Sequence, residues 1–176
     1  MASKAHYRLI GIDPGSVRTG VGIVAINGRD IEHLHHCELK VGGEDFPQRL
    51  AAIFAGVGEL IASYQPTVLA IENVFVSRNP QSALKLGQAR GAAICAAVSR
   101  GLEVHEYAPR EIKNAVVGTG RADKTQVQHM VRLLLKLDQS PGSDAADALA
   151  VAICHHNTAS TLGGLNITAS QWRRRR

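Results

Sequence analysis

The sequence has no apolar run long enough to cross a bilayer. Its opening stretch, MASKAHYRLIGID, lacks the long apolar core of a signal peptide. Both absences predict a cytoplasmic protein with no membrane partner. Cysteine is scarce. Cys37, Cys95 and Cys154 are scattered and odd in number, which reads as reduced, mostly structural thiols and not as a disulfide framework. There is no internal repeat, no low-complexity core segment and no linker long enough to divide the chain. Nucleotide signatures are missing too. Gly15 and Gly20 have the P-loop separation, but Val21 and Gly22 stand where a P-loop needs Lys and Ser/Thr. No G-x-G-x-x-G follows a strand.

What is present fits one globular domain. The 176 residues, 45% of them hydrophobic, are enough to bury a sizeable core. Lys and Arg number 20 against 15 Asp and Glu, a formal charge of +5. That balance favours a polyanionic partner without proving one. Part of the charge lies in the final Trp172-Arg173-Arg174-Arg175-Arg176. Residues 1–157 are expected to form the domain, and 158–176 a flexible basic tail with weak, non-specific attraction to nucleic acid.

Periodicity gives the elements one by one. Strands are predicted at Tyr7 to Ile12, Val21 to Ile26 and Ile31 to Leu39, with Asn27-Gly28 as a hairpin turn. A helix follows over Phe46 to Tyr64, with Phe46, Leu50, Ile53, Phe54, Val57, Leu60, Ile61 and Tyr64 on one face and Pro47 in its first turn. Thr67 to Ile71 is a strand ending at Glu72. Gln81 to Ser99 is a helix rich in Ala and Gly, suited to close packing. Glu103 to Tyr107 is a strand, and Glu111 to Val117, Lys124 to Lys136 and Ala145 to His156 are helices, with Ser143 as a cap for the last. Right-handed crossovers would put the fourth strand beside the first. The expected architecture is α/β: a five-stranded mixed sheet with helices on both faces.

The stretch GIDPGSVRTG then poses a choice. Asp13-Pro14-Gly15 is ordinary turn chemistry, yet Asp13 also ends a buried strand. If the first and fourth strands are parallel neighbours, Asp13 and Glu72 share the sheet edge where α/β folds place ligands. In SDAADALA, Asp144 and Asp147 share a helix face, with only alanines between and just after them. Two solvated acids near a helix N-terminus would explain that pair alone. Glu72, at the end of the apolar TVLAIE run, is harder to leave unpartnered. Four converging carboxylates in a basic chain are hard oxygen ligands for Mg²⁺ or Mn²⁺, and two such ions ~3.5–4 Å apart serve phosphoryl displacement. On that reading Asp13 is the first metal ligand of a nuclease, and the turn positions it.

The stretches GIDPGSVRTGVG, AIENVF, SALKLGQARG, EIKNAVVGTGRADKTQVQHMV and DAADALAVA together resemble the RuvC family of bacterial Holliday-junction resolvases, which have an RNase H-like fold. The resemblance implies a divalent-metal-dependent endonuclease, with two Mg²⁺ ions per site (Mn²⁺ substituting), that resolves four-way DNA junctions by paired, symmetric cuts in recombination and repair. It implies that Asp13, Glu72, Asp144 and Asp147 are the catalytic, metal-holding carboxylates. Lys113 and Lys124 lie near the scissile phosphate, and Phe75 inserts at the junction centre. Arg78 and Lys85 join Phe75, Lys113 and Lys124 as candidate DNA contacts. It further implies a homodimer, with part of its interface sought around Ala83, Gly87, Gly91 and Ala92, and partnership with the RuvAB branch-migration complex.

Rival readings are weaker on the residues themselves. An ATP-binding protein of the actin or sugar-kinase type shares the opening hairpin but needs two such domains. A purely structural junction binder leaves four converging acids unexplained. A related nuclease acting on another branched or RNA-containing substrate is separated only by substrate competition. His33, His35, His36 and Cys37 suggest zinc, but on a regular strand His36 points away from the other three, and the spacing of a closed tetrahedral site is absent.

Overall fold

A computed structural model describes residues 6–41, 45–73 and 79–164. The first apolar run forms β1 (His6–Asp13), with Leu9, Ile10, Gly11 and Ile12 all buried. A strand buried on both faces belongs at the centre of a sheet. It pairs antiparallel with β2 (Arg18–Asn27), which pairs in turn with β3 (Asp30–Lys40). The tight turn falls at Gly28-Arg29, one residue later than the sequence suggested. Asn27 still pairs with Asp30, and Gly28 takes the positive φ of 65°.

The chain continues through α1 (Phe46–Tyr64), β4 (Val68–Glu72), α2 (Pro80–Val98), β5 (Glu103–Tyr107), α3 (Pro109–Val117), α4 (Lys124–Leu134) and α5 (Ser143–Gly164). The sheet order is β3-β2-β1-β4-β5, with β4 parallel to both β1 and β5. The five-stranded mixed sheet is therefore present as expected. Helix ends follow ordinary capping. Asp45 accepts from the Gln48 N–H, and Asn79 from the Gln81 and Ser82 N–H groups. At α4, Asp123 and Gln126 cap each other reciprocally at 2.8 and 3.0 Å. Ser143 is the first residue of α5, and that helix runs to Gly164, past the expected domain boundary at 157.

Two apolar layers flank the sheet. On one face Ile10, Ile12 and Ile71 meet Ile53, Val57 and Ile61 of α1 and the buried alanines of α2. On the other, Leu9, Val24 and Ala70 meet α3, α4 and the Ala145–Cys154 stretch of α5. Each fully buried Leu or Ile contributes about 1.5–3 kcal/mol relative to exposure.

Two expectations are corrected. Phe54 leaves the buried face of α1 and lies partly exposed under the Arg100 guanidinium, 5.5 Å from its ring centre. The second concerns the histidines. Register slips between Ile23 and Val24, which pair with His35 and His33, so Leu34 is an extra, bulged residue. The bulge turns His33 and His36 to the same side, with His33 Nε2 2.9 Å from His36 Nδ1, while His35 stacks on Tyr64.

Candidate active site

The site starts from strand register. Ile12 pairs with Ile71 in the parallel ladder, so the next residues, Asp13 and Glu72, emerge side by side at one edge of the sheet. Their carboxyl groups lie close enough for each to act on the other's proton affinity. Burial pushes the Asp13 carboxyl up to about 8, and the charges of Glu72, Asp147 and Asp144 add to the effect. The Glu72 carboxyl is also raised, chiefly by burial, while Lys113 and Lys124 act against the rise.

The aspartates of α5 arrive because the sheet lets that helix lie very close. A methyl group on Gly20 would collide with the Asp144 carbonyl, and one on Gly11 with the Ala148 carbonyl. One on Gly22 would lie 2.6 Å from Leu149 Cδ2. Gly11 and Gly22 are cross-strand partners, so these glycines form a shallow track across β1 and β2. The small side chains of Ala145, Ala148 and Ala152 settle over it. As a result Asp13, Asp144 and Asp147 each offer a carboxylate oxygen within 4.8 Å of the others. The turn after Asp13 is braced separately. The buried Thr19 hydroxyl donates to the Gly15 carbonyl at 2.9 Å, and the Val41 N–H donates to the Val17 carbonyl at 3.0 Å.

Lysines approach from one side. Lys124 Nζ lies 3.0 Å from Asp147 Oδ2, and that hydrogen bond raises the lysine's pKa. Glu72, Lys113, Lys124 and Asp147 line a cavity of about 170 Å³ with Pro109, Ile112, Val127 and Ala150. A water occupies about 30 Å³ in the liquid, so the space is that of several waters. Four acids against two lysines leave negative charge in excess. The donors are all hard oxygens. This donor set fits a hard divalent ion.

The structure thus brings together six of the nine residues singled out by sequence: Asp13, Glu72, Asp144, Asp147, Lys113 and Lys124. Lys85 is placed elsewhere, its ammonium 5.7 Å from the ring centre of Phe46 at the start of α1. Phe75 and Arg78 lie outside the described residues. Sequence reasoning missed the glycine track and Thr19. Gly20 and Gly22, on one face of a strand opposite Gly11, were the available signal for the track.

The family model described as "Crossover junction endodeoxyribonuclease RuvC" matches residues 9–155. The RuvC crossover junction endodeoxyribonuclease of Photobacterium profundum is 56% identical over 168 residues, covering 96% of this chain and 97% of that protein. That of Vibrio vulnificus is 55% identical with the same coverage. Among solved structures, Thermus thermophilus RuvC in complex with Holliday junction substrate superposes with a TM-score of 0.83 at 36% identity, covering 89% of this chain and 96% of that one.

Proposed function

The chain belongs to the RuvC family of crossover junction endodeoxyribonucleases, and from that premise we propose that its acidic cleft cuts phosphodiester bonds of four-way DNA junctions with divalent metal. The observation that carries the reading is the convergence of Asp13, Asp144 and Asp147 within 4.8 Å, with Glu72 beside Asp13 at the same sheet edge. These four residues would hold two Mg²⁺ ions, with Mn²⁺ able to substitute. When bound, such ions supply Lewis acidity and a lowered pKa for water at the phosphoryl centre.

The chain's own groups do the rest. Asp13, its carboxyl raised to about 8, gives up its proton as cations enter, so loading is easier at higher pH. Lys124 holds Asp147 Oδ2 and keeps that carboxylate aimed into the cavity. Lys113 and Lys124 are point charges beside the cavity, placed to offset the charge that builds on phosphate oxygens in the transition state. The apolar wall of Ile112 and Val127 limits water around them. A basic surface outside the cleft holds the DNA backbone, with Phe75 at the junction centre and Arg78 and Lys85 as further contacts.

Paired cuts in a two-fold symmetric junction call for two identical sites across an axis, hence a C₂ dimer. The outer face of α2 supports this. Leu84 is 67% and Val98 57% exposed, and nothing lies within 4 Å of a side chain placed at Gly87 or Gly91. These four positions form one small, apolar stripe on the helix. The same reading includes RuvAB partnership, a cytoplasmic location and a basic tail beyond the nuclease domain. Among the described residues no helix is long and apolar enough to cross a membrane.

Incubation with a synthetic four-way junction, with and without Mg²⁺, tests the activity. Symmetric nicks dependent on the metal are expected, and an uncut junction with Mg²⁺ present would refute it. Sedimentation at micromolar concentration should give a dimer, and Gly91→Arg should give a monomer.

A further inference from the structure

Glu72 is supported from behind. It stands at the last position of β4, where the ladder to β5 ends with the Glu72–Tyr107 pair. Among the described residues, the Asn73 N–H is the last to continue the pairing, donating to the Tyr107 carbonyl at 2.8 Å. The end of a strand is where a backbone is least constrained, yet a metal-holding carboxylate has to be fixed to within about 0.5 Å. On the α2 side of the sheet, opposite the aspartates of α5, Arg90 Nε donates to the Glu72 carbonyl at 3.2 Å. The same guanidinium places Nη2 2.8 Å from Glu106 Oε1 of β5. This second contact is short but poorly aligned as a hydrogen bond, so it acts mainly as an ion pair. The Arg90 side chain is only 17% exposed.

Arg90 reaches this position because α2 lies close. Its neighbours on the inner face are Ala89, Ala93, Ala96 and Ala97, all buried. A planar fork can hold two acceptors in fixed relation, which the single ammonium of a lysine does less well. The cations that act on the Glu72 carboxyl are Lys113 and Lys124, on the cavity side. Arg90 therefore engages Glu72 through its main chain.

We propose that Arg90 is a positioning residue for Glu72: with Glu106, it clamps the terminal carbonyl of β4 to α2 and β5 and so fixes the carboxylate against Asp13. The inference rests on the nuclease reading for its consequence, but the clamp itself is measurable without cleavage.

Three variants of the full-length protein test it, Arg90→Met, Arg90→Lys and Glu106→Gln, with wild type as the control for the nuclease reading. Residues that orient metal ligands typically influence metal affinity or activity by about 10–100-fold. Arg90→Met should weaken Mn²⁺ binding to the free protein, measured by calorimetry, within that range. It should slow junction cleavage at saturating metal by a similar factor. Junction affinity should stay within about twofold. Amide exchange at Asn73 should quicken while exchange in β1 does not. Arg90→Lys should recover part of the Mn²⁺ affinity, and Glu106→Gln should lose part of it.

Two results overturn the clamp: unchanged Mn²⁺ binding and Asn73 exchange in Arg90→Met, or a loss of cleavage that merely follows a loss of junction affinity. The second would make Arg90 a DNA contact. If Arg90→Met unfolds, Glu106→Gln, which keeps the arginine, decides through the same two measurements. Failure of the wild-type protein to cut a junction would instead strike the nuclease reading and leave the Mn²⁺ and exchange results to stand on their own.

Discussion

Two stretches of α5 hold ionisable groups against the same face of the sheet, fully buried in one and half-buried in the other, and treat them in opposite ways. Nearer the C-terminal end, past the middle of the helix, His155 is buried with Nδ1 2.9 Å from the Tyr107 hydroxyl, and His156 Nε2 lies 3.1 Å from the Arg29 carbonyl. Each imidazole has a neutral partner, and burial pushes the His155 pKa down to about 4, keeping it uncharged. At the N-terminal end, Asp144 and Asp147 meet Asp13 and Glu72, and the partners are mostly more acids. Burial of a titratable group is therefore no mark of function by itself. What separates the ends is whether the protein's own groups settle the charge. At one end each buried group has a partner of its own, and at the other the acids outnumber the bases.

The largest test removes the imbalance. Asp13→Asn should lower cleavage by about 10³-fold, the scale expected for a lost preorganised charge. Its effect on stability should be the reverse. With a folded pKa near 8 against an ordinary 3.8, metal-free native protein binds one more proton than unfolded protein between those values. Stability then falls as pH rises through that window and is lowest above pH 8. In EDTA at pH 8.5, Asp13→Asn should melt above wild type, and the gap should shrink at pH 5. Equal melting temperatures at both values would mean that the acids do not repel.

Next is the track that delivers the acids. A methyl at Gly20 collides with backbone at Asp144, so α5 itself has to shift. Gly20→Ala should cost about 1–3 kcal/mol by overpacking and slow cleavage about 10²-fold by misplacing Asp144. Thermal melts and single-turnover cleavage read both effects.

A smaller effect is expected at Lys124, whose side chain is 57% exposed and therefore partly screened. Lys124→Ala should slow the chemical step about 10–100-fold while weakening junction binding less, because the transition state carries more charge than the substrate. Equal losses in rate and affinity would make it only a phosphate anchor.

Much of this site was legible in sequence because its elements announce themselves locally. Asp13 and Glu72 each close an apolar strand, and the crossover pattern makes those strands parallel neighbours. Asp144 and Asp147 are paired by helical spacing alone. What was not legible depends on contacts between distant segments. The bulge at Leu34, which brings His33 to His36, is a property of pairing with β2 and leaves no mark in the β3 sequence. Gly20 and Gly22 look like weak points in a strand until α5 is laid over them. Arg90 is hidden for a related reason: one of its partners is a main-chain carbonyl, which carries no residue identity.

The comparison predicts, last, that the two ends bend the pH–stability curve in opposite senses. The acidic end makes metal-free protein less stable as pH rises towards 8. The histidine end makes it less stable as pH falls. His155 titrates near 4 when folded and at an ordinary 6.5 when unfolded, so between these values only the unfolded chain takes up the proton. Stability contributed by the neutral imidazole is intact above pH 6.5 and is lost progressively towards pH 4, by about 3 kcal/mol at the limit. In wild type the two trends overlap between pH 4 and 6.5 and partly cancel. An Asp13→Asn background removes the opposing trend. There, His155→Gln keeps an acceptor for the Tyr107 hydroxyl and removes the titration. His33 and His36, whose pKa values are also lowered chiefly by burial, contribute equally to both proteins and drop out of the difference. The parent should therefore lose several degrees more in melting temperature than the His155→Gln variant between pH 7 and pH 5. Cleavage at pH 8 should be the same with and without His155→Gln in an otherwise wild-type chain, since that end of α5 is already complete. Parallel melting curves would show that His155 accepts its proton without unfolding, and that the two ends are less different than their contacts imply.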